Sequence, residues 1–100
     1  MKAPKFKLKR AHQINAGKLG VQVKESSNPA KKLDVYLNGK KIAEIGATGY
    51  WDYQLYKEAE EKGLFPKGYA DKKKKAYQAR HEGEQLKAGS PGYFAWKILW

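Results

Sequence analysis

The dipeptide Asn38-Gly39 constrains this chain more than any other feature. It sits between Leu33-Asp34-Val35-Tyr36-Leu37 and Lys40-Lys41-Ile42-Ala43-Glu44-Ile45, two runs rich in strand-forming residues. Asn-Gly accepts positive φ at both central positions of a type I′ turn, whose twist matches that of the flanking strands. The two runs are therefore expected to close a β-hairpin. A two-residue turn also fixes register, because a slip of one residue turns every side chain to the opposite face. Counting outward, Leu37 should face Lys40, Tyr36 Lys41, Val35 Ile42, and Leu33 Glu44. Leu33, Val35, Leu37 and Ile42 then make a core face, and Lys32, Asp34, Tyr36, Lys41, Ala43 and Ile45 the outer one. Two lysines around a tyrosine are what a strand-based nucleic-acid reader presents. A half-solvated antiparallel sheet also carries polar residues there.

Upstream, Gly20-Val21-Gln22-Val23-Lys24-Glu25 alternates apolar and polar residues and predicts a third strand. Ser26-Ser27-Asn28-Pro29-Ala30 supplies the turn after it. Residues 1–18 read as a basic N-terminal arm carrying Lys2, Lys5, Lys7, Lys9, Arg10 and Lys18, followed by one domain over 19–100. Lys5 to Lys9 alternates and could form an edge strand, where lysines discourage aggregation. His12 has no second ligand nearby and reads as an ordinary polar residue.

Downstream, Gly46-Ala47-Thr48-Gly49-Tyr50-Trp51-Asp52-Tyr53 turns the chain from sheet to helix. Asp52 is the expected N-cap of a helix from Tyr53 to Lys62, with Thr48 the competing cap and Gly63 the stop. Leu55 and Ala59 mark its inner stripe, while Lys57, Glu58, Glu60 and Glu61 should face water. A glycine turn at a helix start can hold a phosphate, but an aspartate at the cap already fills that role. A second helix should run from Tyr69 to Glu82. Its lysines at 72–75 sweep about 300° of the helix, so Lys73 or Lys74 must lie along the packed side and reach outward. Lys72 and Lys75 project freely. Tyr77, Arg80 and His81 cluster at i, i+3 and i+4. With a nearby glutamate, Arg80 and His81 are the catalytic candidates for acid–base chemistry on a phosphodiester; packing of His81 at the core edge is the plainer reading. Ser90-Pro91 opens a last, largely apolar helix through Trp100.

Charge names a partner class. The 100 residues hold 21 Lys and Arg against 10 Asp and Glu, a net charge of +11, which calls for an anionic partner. Phosphate backbone is the commonest one. The 13% aromatic content argues for a folded core over a disordered polycation. There is no cysteine, which excludes disulfides, thiolate metal sites and a cysteine nucleophile. No signal-peptide core and no bilayer-length apolar run occur in the sequence, so no membrane partner is expected.

The spaced residues Gly46-Ala47-x-Gly49-Tyr50-x-Asp52-Tyr53, Tyr77-x-x-Arg80-His81, Gly89-Ser90 and Leu99-Trp100 resemble a family of small basic proteins. These are encoded by large DNA viruses and aquatic phages, many of them uncharacterised. The likeness runs from about Ser26 to Trp100. It implies a viral origin, hence the host-cell interior or the virion, and supplies no activity. Separately, strands followed by a helix are similar in layout to plant AP2-type DNA-binding domains, without matching their residues.

The expectation is one α+β domain, a three-stranded antiparallel sheet with the Asn-Gly hairpin, packed by two or three C-terminal helices. Its expected role is non-enzymatic nucleic-acid binding, DNA ahead of RNA, with no cofactor and no metal. The contacts are assigned to Lys5, Lys7, Lys9, Arg10, Lys32, Tyr36, Lys40, Lys41, Lys72 and Lys75. A virion or assembly protein that meets packaged genome or other virion proteins is the first alternative, and a small nuclease using Arg80 and His81 is the second.

Overall fold

The structure, a computed structural model, describes residues 3–100; Lys2 of the expected arm lies outside them. The chain forms α1 (Arg10–Lys18), β1 (Gln22–Glu25), β2 (Lys31–Leu37), β3 (Lys40–Ala47), α2 (Tyr53–Glu61), α3 (Tyr69–Arg80) and α4 (Pro91–Phe94). A single 3-10 turn at Glu84–Leu86 precedes α4, which runs on as a π-helical turn over Ala95–Leu99. The strands form one antiparallel sheet in the order β1-β2-β3, so the molecule is an α+β domain. No helix among the described residues is long and apolar enough to cross a membrane.

The hairpin forms around Asn38 (φ 52°) and Gly39 (φ 80°), as a type I′ turn requires. Leu37 faces Lys40 and Tyr36 faces Lys41, as counted from the turn. Beyond that point a β-bulge opposite Val35 and Tyr36 corrects the expected register: Val35 pairs with Ala43, Asp34 with Glu44, and Leu33 with Ile45. The cause is physical. A straight ladder would set Glu44 against Leu33 in the core and leave Ile45 in water. One extra residue, Ile42, reverses the facing of everything after it. Ile45 and Ala43 become buried, and Ile42 and Leu37 stay exposed.

The sheet's inner face, Val21, Val23, Leu33, Val35, Ala43 and Ile45, packs against Ala16 of α1 and against Phe94, Ile98 and Leu99 near the C-terminus. The arm expectation is thereby corrected. Residues 5–9 form no strand, and 10–18 form a helix that belongs to the core. Its inward positions are His12, Asn15, Ala16 and Leu19, an i, i+3, i+4, i+7 spacing carried partly by polar residues. At the helix start the His12 Nδ1 accepts the Lys9 backbone N–H at 3.0 Å, the reciprocal half of a capping box. The Asn15 amide donates to the Ile98 carbonyl at 3.2 Å.

Helices α2 and α3 form a hairpin beside the sheet, and none of their residues joins the main core cluster. Asp52 caps α2, accepting the Leu55 N–H at 3.0 Å, whereas the Thr48 hydroxyl donates to the Pro29 carbonyl and caps nothing. Leu55 and Ala59 are buried as expected. Glu60 does not face water: its carboxylate accepts the Ala70 N–H at 3.0 Å and so ties the start of α3 to α2, which holds its pKa below the usual range. An aromatic seam joins this hairpin to the rest. Trp100 stacks on Tyr77 at 4.4 Å and lies 6.1 Å from Tyr56, which stacks on Trp51 at 4.8 Å.

Gly46 marks the closest approach between sheet and C-terminal helix. A Cβ there would lie 2.8 Å from Leu99 Cδ1 and 2.9 Å from Lys32 Cδ, and its φ is +76°. Only glycine fits.

Candidate nucleic-acid interface

The expected outer face of the sheet is partly dismantled by the fold. Lys32 is buried, with Nζ 3.0 Å from Asp52 Oδ2 and donating to the Tyr50 carbonyl at 2.6 Å. It clamps β2 to the corner before α2 and offers nothing to a phosphate. The charge is tolerated inside because each partner makes two hydrogen bonds, Lys32 to Asp52 and the Tyr50 carbonyl, Asp52 from Lys32 and the α2 cap. Lys41 lies 2.8 Å from Glu44 Oε2 and 3.8 Å from Asp34 Oδ2, and the Glu44 hydrogen bond raises its pKa. Asp34 is itself buried and accepts the Ser26 hydroxyl at 2.6 Å. Tyr36 is half-buried, under the Lys24 ammonium at 5.2 Å. Of this group Lys40, on the exposed hairpin, has no ion partner among the described residues.

The N-terminal lysines run beside α2. Lys5, Lys7 and Lys9 line a groove of about 350 Å³ whose other wall is Trp51, Leu55, Glu58, Ala59 and Leu64. Lys9 pairs with Glu58 at 2.9 Å, and Lys62 reaches the same carboxylate at 3.3 Å, which together lower the Glu58 pKa. Lys5, Lys7 and Arg10 are exposed and form no ion pair among the described residues.

Helix α3 carries the densest uncompensated charge. Its first-turn acid, Asp71, accepts the Tyr53 hydroxyl at 2.8 Å, a bond that pushes the Tyr53 pKa up. Lys73 Nζ lies 5.2 Å from the Tyr69 ring and Lys74 Nζ 4.8 Å from the Tyr53 ring. Both are partly buried, so both reach outward over aromatic faces where one was expected to. Lys72 and Lys75 are exposed.

At the far end of α3 the stretches that stand apart in sequence meet. Gly46, Ala47, Tyr50 to Asp52, Tyr77, Arg80, His81 and Trp100 line one cleft of about 400 Å³. Tyr77 is sandwiched, with His81 stacked on one side at 4.2 Å and Trp100 at 4.4 Å, and its burial raises its pKa. His81 Nδ1 lies 2.9 Å from Glu84 Oε2. Gly92 makes room for that carboxylate: a Cβ there would fall 2.6 Å from Glu84 Oε1. The i, i+3, i+4 spacing found the Tyr77–Arg80–His81 cluster. It could not find Lys31, which enters the cleft from β2; the glutamate expected beside His81 is Glu84. Among the described residues no three of His, Asp and Glu converge to hold a metal. No protein-family model, no curated protein and no solved structure matches this chain, which leaves its geometry to speak for its function.

Proposed function

We propose that the protein binds nucleic acid without cleaving it, chiefly through the phosphate backbone and with DNA ahead of RNA. One observation carries this reading. Among the described residues the four consecutive lysines on α3 have no carboxylate partner, although an aspartate stands directly before them. A helix whose lysines were merely solvating a surface would be expected to share its charge with neighbouring acids. Here Asp71 is held by Tyr53, Lys73 and Lys74 rest on rings, and Lys72 and Lys75 point outward. Lys5, Lys7, Arg10 and Lys40 add exposed cations elsewhere, while Lys32 and Lys41 leave the contact set. A viral origin suits a protein that handles a genome.

The test is a duplex titration over a salt series. Each lysine–phosphate contact contributes about −0.9 to the slope of log affinity against log salt. Lys72→Ala/Lys75→Ala should make that slope shallower by about two and weaken binding to all sequences alike. Binding indifferent to salt would sink the proposal. A slope unchanged in the double variant would remove α3 from the contact surface.

A further inference from the structure

The cleft at the end of α3 holds two cations outside any ion pair among the described residues. Each carboxylate in its wall is already engaged: Asp52 by Lys32 at 3.0 Å, Glu44 by Lys41 at 2.8 Å, and Glu84 beside His81 at 2.9 Å. Two cations in the same wall are not. Lys31 and Arg80 are exposed and make no ion pair among the described residues. Lys31 and Arg80 are thus cations of the wall that no carboxylate locks in an ion pair, and guanidinium is the group best shaped to take a phosphate through paired N–H donors.

The aromatic side of the cleft is equally open. Tyr50 is 70% exposed and its ring stacks on no other ring among the described residues, while its backbone carbonyl is fixed by the Lys32 ammonium at 2.6 Å. A large ring held in water on a fixed backbone is unusual, since tyrosine normally buries most of its area. Trp100 also lines the cleft and is stacked on Tyr77, 4.4 Å away with the rings 7° from parallel. The site thus combines an exposed aromatic face, a rigid aromatic wall and two unpaired cations. A space of about 400 Å³ lies within the range of small-molecule sites.

We propose that this cleft is a nucleoside-phosphate site, in which Arg80 and Lys31 hold the phosphate and Tyr50 stacks on the base. The ligand is a free nucleotide or the phosphorylated end of a strand; the recognising chemistry is the same. This proposal does not rest on the lysine-helix reading. The cleft would take a mononucleotide whether or not Lys72 and Lys75 bind a polymer.

The test uses the full chain and follows tryptophan fluorescence as adenosine 5′-monophosphate, adenosine and inorganic phosphate are added. The monophosphate should saturate the protein and bind at least about tenfold more tightly than either fragment, since charge-assisted hydrogen bonds to phosphate exceed neutral ones. Arg80→Ala and Lys31→Ala should each weaken the monophosphate about tenfold and leave adenosine unchanged. Tyr50→Ala should weaken both ligands. All three positions are exposed, so the variants keep the fold, which circular dichroism verifies. Lys72→Ala/Lys75→Ala should bind the monophosphate like the parent, even where it has lost duplex binding. Displacement of the monophosphate by a 5′-phosphorylated trinucleotide, but not by its unphosphorylated form, identifies a strand end as the ligand; binding of the mononucleotide alone identifies the free nucleotide. Either upholds the site. No saturable monophosphate binding, inorganic phosphate binding as tightly as the monophosphate, or full affinity in Arg80→Ala and Lys31→Ala would each overturn it.

Discussion

His12 is fully buried with one nitrogen satisfied and the other not. Nδ1 accepts the Lys9 N–H, so the neutral ring carries its proton on Nε2, which has no partner. Phe6 lies 5.2 Å away, and the charged neighbours are Asp52, Lys9 and Lys32. Burial lowers the pKa of His12; Asp52 opposes this, and Lys9 and Lys32 reinforce it. In the unfolded chain the ring titrates near 6.5. Below that pH the unfolded state binds a proton that the folded state refuses, so stability falls as pH drops through about 6.5 toward the lower folded value. Urea midpoints at pH 7.5 and 5.5 should therefore differ in the parent protein. His12→Gln keeps an acceptor for the Lys9 N–H but does not titrate, and it should flatten that difference. A pH dependence unchanged in His12→Gln would mean that His12 takes up its proton equally in the folded and unfolded states, and would overturn the lowered pKa.

At the scale of elements, α1 is where sequence and structure part. Its inward residues have helical spacing but include His12 and Asn15, so no apolar period announces the helix. Among the lysines around it, composition reads as a solvated arm. Removing residues 1–18 should accordingly unfold the domain or cost more than about 3 kcal/mol, because Ala16, Phe6 and Leu8 leave the core together. A truncated protein with unchanged thermal midpoint would restore the arm. The hairpin, the third strand and both interior helix starts were legible because Asn38-Gly39, Val21/Val23 and Asp52 act locally. The register beyond Tyr36 was legible in principle: Glu44 opposite Leu33 is a conflict that a bulge resolves. The fate of Lys32 was not, since its partner lies 20 residues away on another element. The cleft was half legible. Spacing on one helix gathers Tyr77, Arg80 and His81, but only the fold sets Lys31 and Tyr50 around them.

Over the whole molecule, charge pulls stability and the proposed nucleic-acid binding in opposite directions. The domain extends 40 × 27 × 22 Å, a small body for a net charge of +11. Its cations repel one another over distances comparable with the Debye length of about 8 Å at physiological salt. Exposed pairs such as Lys9–Glu58 and Lys62–Glu58 offset little of this, at about 0–1 kcal/mol each. The buried Lys32–Asp52 pair is beyond the reach of screening ions. Raising sodium chloride from about 0.01 M to about 0.2 M, a range over which the Debye length shrinks severalfold, should therefore raise the thermal midpoint. The same change should weaken duplex binding, because released counterions lose their entropic advantage. Both can be read in one buffer series, by calorimetry and by titration. A midpoint that falls with salt would show that the surface pairs outweigh the repulsion. Self-repulsion would then be no cost to the fold, and the charge argument for the proposed anionic partner would lose its physical basis.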